Sequence, residues 1–398
     1  MKSFKYCIAG IILMTNLASQ AQKKFDVSGH LETLEMIWVQ GKADSAWQSM
    51  STIYNRLDFR WYATKSLRFH LGARNLLDYG QLVTTINQWS KFLPAQTDYA
   101  ALISKDDGYF DLTEAWSDGE SYTLYSNIDR LYGRWTAGNF EATVGRQRIN
   151  WGINLVWNPN DIFNTFNYFN FDYVERPGCD AVHLQYYTGM TSSVQTAFKI
   201  DHNEDITAAA IYKFNHWNYD FQFLGGKMTD DYVLGIGWAG QIEKAGFNGE
   251  ATYFHNAGNF SDTTGQLVAS IGANYTLRSG WYFQLSGLYN SEGTTKKAGR
   301  GNMFAMNLDI SPKTLTLAKH SLFGQVSYPI TPLINADISG IFNPNDNSGF
   351  FGPSVDISLK PNLSFLAHCP NLYRRERNGI RGLWNAGVYA VEVEFLVI

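Results

Sequence analysis

The sequence predicts an all-β protein: a transmembrane antiparallel β-barrel of about 18 strands, with 16 as the alternative. Three observations carry this expectation. Apolar and polar residues alternate with period two from Ser51 towards the C terminus. The alternating runs approach the length a tilted strand needs to cross a bilayer. Their polar faces carry charges that a dry core rejects and a wetted interior accepts. Composition agrees, because 15% aromatic and only 17% charged residues suit many strands flanked by aromatic belts.

Residues 1–21 read as a signal peptide. Lys2 and Lys5 precede an apolar run from Ile8 to Met14, and Ser19-Gln20-Ala21 puts small residues at a cleavage site before Gln22. The run is too short to span a bilayer as a helix. Cys7 lies before the run, so it is no lipoprotein cysteine. Loss of Lys2 and Lys5 moves the formal charge from −4 to −6, which gives no reason to expect nucleic acid as a partner. Residues 22–398 read as one barrel domain, since no linker, charge block or low-complexity tract interrupts them. Mean hydropathy, −0.24, is that of an ordinary soluble chain, so the membrane signal lies in the alternation.

The strands follow in order. The first, 25–38, alternates poorly, which is why 16 remains open. Ile53, Leu57, Phe59 and Trp61 oppose Arg56, Asp58 and Arg60; Leu67, Phe69, Leu71 and Ala73 oppose Arg68, His70 and Arg74. Later runs are Trp217 to Phe223, Tyr232 to Trp238, Leu267 to Tyr275 and Trp281 to Leu285. The last sets Tyr389, Val391, Val393, Phe395 and Val397 against Glu392 and Glu394 and resembles the terminal strand read by barrel assembly machinery. Short connections are expected near 63–65, 137–139, 189–192, 214–216, 242–245, 277–280, 329–332 and 360–361. Long ones are expected near 39–50, 77–122, 152–179, 225–231, 255–264, 291–319, 343–350 and 370–384. Short turns inside and long loops outside give an even count if 303–310 belongs to an outer loop.

The stretch from Gly145 to Gly178 breaks the alternation. Apolar parity reverses beyond Gly145, so a bulge is expected there. Arg146, Arg148 and Asn150 then face the lumen, joining Arg130, Arg134, Arg56, Arg60, Arg68 and Arg74 in a basic first third of the wall. Asp220, Glu250, Asp337, Asp356, Glu392 and Glu394 offer an acidic arc opposite, and together the arcs would set a transverse field; the alternative is that these charges pair or solvate a wet wall. The loop beyond Trp151 and Gly152, about 152–179, mixes asparagines with Trp157, Phe163 and further aromatics. Folded inward it would narrow the bore with stacking faces and amides; otherwise it is a girdle and surface cap.

Gly145-Arg-Gln-Arg-Ile-Asn-Trp-Gly152, the Asn158-Pro-Asn-Asp161 run and Glu175-Arg176-Pro177-Gly178 resemble a block of porin-like outer-membrane barrels related to the alginate-export family. Ile128-Asp-Arg-Leu-Tyr132 and Ser321 to Pro332 fit the same group. The resemblance implies an outer-membrane channel and, in some members, passage of organic anions or polysaccharides. The expected partners are outer-membrane lipid, the barrel assembly machinery and a small hydrophilic solute, with homo-oligomerisation left open.

Enzyme and metal signatures are weak. The eight histidines are scattered, no Gly-x-Ser-x-Gly elbow occurs, and Asp106-Asp107-Gly108 and Asn345 to Gly349 read better as turns than as calcium loops. No catalytic residue, cofactor or metal is expected. Cys179 and Cys369 can pair or stay free.

Overall fold

The computed structural model describes residues 24–39, 47–90, 98–165, 177–261, 264–296, 311–361, 363–369, 371–374, 383–384 and 387–397, with side chains through 369 except 38–39. The predicted signal peptide therefore lies outside the described residues. The strands are β1 (Phe25–Val39), β2 (Trp47–Tyr62), β3 (Leu67–Tyr79), β4 (Thr113–Asp118), β5 (Tyr122–Ala137), β6 (Phe140–Gln147) and β7 (Cys179–Tyr187). Then come β8 (Ser193–Ile200), β9 (Ile206–His216), β10 (Tyr219–Met228), β11 (Asp231–Ile242), β12 (Ala245–Asn256), β13 (Gln266–Thr276) and β14 (Tyr282–Asn290). The last are β15 (His320–Thr331), β16 (Ile334–Asn343), β17 (Ser348–Lys360), β18 (Leu363–His368), β19 (Asn371–Arg374), β20 (Leu383–Trp384) and β21 (Gly387–Val397). Two helices, α1 (Gln81–Ser90) and α2 (Tyr99–Ile103), lie between β3 and β4.

Antiparallel pairing runs β1–β2–β3–β5–β6 and onward through β18, then to β21, which pairs back onto β1. Eighteen strands thus form a closed ring, in agreement with the expected count; β4, β19 and β20 are side pieces that pair with β5 or beside β17. Each of the eighteen ring strands is paired on both sides, so closure removes the sheet edges a flat sheet would leave.

Alternation decides which face is which. On β11, Val233 is 1% exposed and Leu234 is 66% exposed. The outward set (Ile53, Phe59, Leu131, Val144, Leu184, Ile236 and Leu285 among it) is apolar and exposed. Near the short-turn end it becomes aromatic. Trp61 stacks on Phe69 with centroids 5.2 Å apart, Trp281 on Tyr328 at 4.6 Å, and Trp135 meets Phe140 edge-on at 6.0 Å. Such a belt fits a membrane interface.

Three local expectations need correction. The β9–β10 connection is the pair Trp217-Asn218, both at positive φ (53° and 61°), a two-residue hairpin turn rather than a strand start. The β10–β11 connection is only Thr229-Asp230, because β10 runs through Gly225 and Gly226 to Met228. The bulge is not at Gly145. Pairing is unbroken through Gly145 on both sides, and the register shift lies between Gly72/Ala73 on β3 and Arg130/Ile128 on β5. Gly145 instead sits at φ +117°, where an added Cβ would lie 2.2 Å from the Leu131 carbonyl. The backbone there turns Arg146 without gaining a residue. Residues 303–310, whose assignment to an outer loop keeps the count even, lie outside the described residues.

Candidate functional site

The functional region is the barrel interior, which two inserted segments occupy. The larger follows β6. Ile149, Trp151, Val156, Trp157, Ile162 and Phe163 are buried in one cluster with inward residues of β7 to β16, including Ala197, Ile211, Val233, Phe254, Val268, Leu288, Phe323 and Ile341. The loop therefore folds inward, as one of the two readings had it. Small residues make room for it: a Cβ on Gly235 would lie 2.4 Å from Asn160 Oδ1. Trp151 meets Phe163 edge-on at 4.8 Å, and Trp157 meets Phe323 at 6.4 Å.

Polar contacts fix this loop more specifically than the apolar ones. The Glu250 carboxylate on β12, 1% exposed, accepts backbone N–H bonds from Ile153, Asn154 (2.9 Å) and Asn160 (2.9 Å). Asn160 donates through Nδ2 to the Ile236 carbonyl at 3.0 Å, and its Oδ1 accepts from Thr252 at 2.7 Å. Gln222 donates to the Trp151 carbonyl at 2.8 Å, Ser270 to the Trp157 carbonyl at 2.9 Å, and the Trp151 indole to Gln195 at 2.9 Å. At the loop base Asn164 accepts from Ile149 N (2.8 Å) and donates to the Pro177 carbonyl (2.9 Å). Asp161 accepts from Trp151 N at 3.4 Å, and the Gly152 backbone passes against Asn158 so closely that a Cβ would lie 2.4 Å from its Oδ1. Gly178 is similarly tight, 2.3 Å from a Cβ to the Asp129 carbonyl. Glu175 and Arg176 lie outside the described residues, as do the aromatics from Phe166 to Tyr173.

The second segment lies between β3 and β4. Val83, Tyr99 and Met50 are buried together, with Met36, Leu82, Ile86 and Ile103 packed around them. Met36 and Met50 belong to the inward faces of β1 and β2, so α1 and α2 pack inside the wall. Asp78, 3% exposed, anchors them by accepting from the Tyr99 hydroxyl at 2.9 Å and from Thr52 at 2.6 Å.

The arginines divide into two groups. Arg56 is 1% exposed and bonds Asp58 and Asp129, each at 2.8 Å; His70 bonds the same Asp58 at 2.7 Å and Tyr132 at 3.0 Å. Gly72 leaves space for this network. Arg130 lies 3.3 Å from Asp129, and Arg74 bonds and stacks over Tyr54. Arg146, 3% exposed, bonds Asp180 (2.8 Å), Asp106 (2.6 Å) and the Phe110 carbonyl. These four are buried in the wall and its lining. Arg60, Arg68 and Arg134 sit nearer the short turns and remain part-exposed, opposite Asp26 (3.1 Å) and Glu141 (3.9 and 3.2 Å). Arg148 and Asn150 are exposed on the loop. The expected basic arc is thus interleaved with Asp26, Asp58, Asp129 and Glu141, which mate with it. Glu392 and Glu394 stand in register with Leu34 and Glu32 of β1; their side chains are not described. Cys179 and Cys369 are both unbridged.

Asp106 lies in the segment before β4. Burial alone would raise its pKa, but the Arg146 guanidinium and the N–H groups of Gly108 and Leu112 outweigh it and hold the carboxyl below its usual range.

Sequence reasoning missed Glu250 as the loop's anchor, and Asp129, Asp106 and Asp180 as arginine partners. The available signal for Glu250 was a lone carboxylate on a strand face it shares with Asn248, Thr252 and Phe254.

No protein-family model matches the chain, and no curated protein does. Solved structures match along its length. The outer membrane protein OprD from Pseudomonas aeruginosa superposes with TM-score 0.58 at 10% identity, covering 94% of this chain and 93% of its own. Acinetobacter baumannii OccAB4 gives 0.56 at 9% identity (94% and 98% covered), and Pseudomonas aeruginosa OccK11 (OpdR) gives 0.54 at 10% (94% and 96%). At such identities the likeness is one of architecture. By its fold, the chain is an antiparallel β-barrel similar in architecture to OprD and the Occ proteins.

Proposed function

We propose that the protein is an outer-membrane channel for small hydrophilic solutes, exported by a cleaved signal peptide spanning residues 1–21 and surrounded by lipid. One observation carries the reading: a closed ring of eighteen strands, apolar outside, whose interior holds an anchored loop and exposed polar side chains. Similarity of fold to an outer membrane protein supports the location. Arg60, Arg68, Arg134 and Arg148 are the cations best placed to meet anionic or saccharide solutes, which the resemblance to the alginate-export group also implies. The reading assigns no catalysis. The rival is a barrel closed by its two inserts, an adhesion or structural protein, and the packing of both segments inside the wall favours it. Planar-bilayer recording of the purified, folded protein decides between them. Stepwise conductance is expected; none at all would overturn the channel reading.

A further inference from the structure

We infer that the outward face of β1, β2, β3 and β5 is where this barrel meets a second copy of itself inside the bilayer. The inference rests on the reading of a lipid-surrounded barrel. Among the described residues, the outward faces of β6 to β18 carry no asparagine or glutamine; at mid-strand they expose residues such as Leu234, Ile236 and Leu285. The first strands break this rule in one row. Counting outward positions only, Asn55 lies between Ile53 and Leu57, Asn75 between Ala73 and Leu77, and Ser126 between Leu124 and Ile128. The three stand in register across neighbouring strands, and all three are part-exposed.

Depth decides what can meet them. Asn55 and Asn75 lie six residues from the belt aromatics Trp61 and Phe69. At about 3.3 Å a residue and a tilt near 40°, that is roughly 15 Å into an apolar band about 25 Å tall. The row is a chain of hydrogen bonds. The Trp116 indole on β4 donates to Ser126 at 2.8 Å, and Ser126 donates to Asn75 Oδ1 at 2.6 Å. Asn75 Nδ2 donates to Asn55 Oδ1 at a long 3.4 Å, and Asn55 Nδ2 to the His30 carbonyl at 3.2 Å. Each amide thereby uses one N–H and one acceptor site, and an amide has two of each. Two donors and two acceptor sites remain on this face among the described residues.

Lipid tails satisfy neither, and an unbonded polar group in hydrocarbon is costly. Lipid headgroups and phosphates lie at the outer rim, about 10 Å farther out. A second copy has the matching chemistry. Both copies sit in the membrane at the same height, so its row lies level with this one and offers two acceptors for two donors, and the reverse, as a self-complementary interface requires. With β6 the face is five strands wide, at about 4.8 Å a strand, or roughly 600 Å² in projection over the apolar band. That approaches the roughly 800 Å² per partner of a stable interface.

The test uses the full-length protein in mild detergent and in outer-membrane vesicles. Light scattering is expected to give a multiple of the single-chain mass, and Asn55→Leu/Asn75→Leu to associate at least tenfold more weakly while keeping the wild-type heat modification on gels. Oxidation of vesicles carrying Asn55→Cys, in a Cys369→Ser background, should cross-link chains, and Leu285→Cys on another part of the wall should not. A single-chain mass for the wild type, undiminished association of the double leucine variant, or equal cross-linking at Leu285→Cys would each overturn the inference. So would a single chain that copurifies with lipopolysaccharide lost in the double variant. Conductance is recorded on the same preparations. Association without conductance would sink the channel reading alone, and a conducting single chain would sink this inference alone.

Discussion

Replacing Glu250 by glutamine is the sharpest perturbation of the inserted loop. The glutamate is buried and takes three backbone N–H groups, two on Oε1 from Ile153 and Asn154 and one on Oε2 from Asn160. Glutamine has a single acceptor oxygen. If that oxygen keeps Ile153 and Asn154, its amide nitrogen faces the Asn160 N–H, donor against donor. Two charge-assisted bonds become neutral, at roughly 1 kcal/mol each, and one buried donor is orphaned, at about 1–3 kcal/mol. The loop should lose about 3–5 kcal/mol of attachment, roughly two to three and a half powers of ten in the ratio of seated to released loop. Bonds from Gln222, Ser270, Thr252 and Gln195 remain, so the barrel itself should still form. The assay is single-channel recording alongside limited proteolysis between residues 153 and 165. The variant should show larger or noisier conductance states and new cleavage in the loop, and Glu250→Asp should be intermediate. Wild-type conductance together with full protease resistance in Glu250→Gln would refute the reasoning.

Four further outcomes follow from the same geometry. Arg56→Leu leaves Asp58 and Asp129 buried without their shared cation and should cost about 3–5 kcal/mol in denaturant unfolding; the double change with Asp129→Leu should recover part of it. Gly145→Ala forces a Cβ onto a left-handed backbone beside the Leu131 carbonyl and should cost at least about 1–3 kcal/mol, read as a lower temperature of heat modification on gels. Asp106, whose pKa is depressed in the folded state, stabilises its segment fully above the unfolded value and loses that contribution as pH falls through the folded one. Protease cutting in 104–112 should therefore rise only under strongly acid conditions in the wild type and already at neutral pH in Arg146→Gln. Changing Arg60, Arg68, Arg134 and Arg148 to glutamate should move the reversal potential in a salt gradient towards cation preference; an unchanged potential would remove them from the permeation path.

The wall was legible in the sequence because period two is a local signal. Ile53, Phe59 and Trp61 against Arg56, Asp58 and Arg60 need no distant partner to be read, and the strand count followed from such runs plus turn parity. What stayed hidden depends on residues far apart in the chain. Arg56 finds Asp129 on a strand 73 positions later, and the bulge that brings Asp129 and Arg130 both inward has no mark in composition. Helix α1 was readable in principle: Leu82, Val83, Ile86 and Trp89 have helical spacing, but they sit within a stretch dominated by loop residues. Gly225 and Gly226 imitated a loop, whereas Gly226 is held in the sheet by the close approach of Ala208 and Ala209.

The two inserts and the short strands form one construction. β6 and β8 have eight residues each and β7 nine, at or below the nine to eleven a tilted membrane strand needs. β6 ends at Gln147, and the inserted loop takes over from there. The gap left above is closed by the tail of the other insert. β4 pairs with the outer half of β5, where β6 pairs only with the inner half, and Gly108 bridges to Asp201 just past β8. Arg146 is the joint: it reaches Asp180 on β7 and Asp106 and Phe110 on the patch at once. A loop can therefore be drawn into the lumen here only because a second loop restores the wall behind it. Loss of Arg146 should then disturb both inserts, exposing the patch to protease first and altering conductance through the inner loop as a consequence.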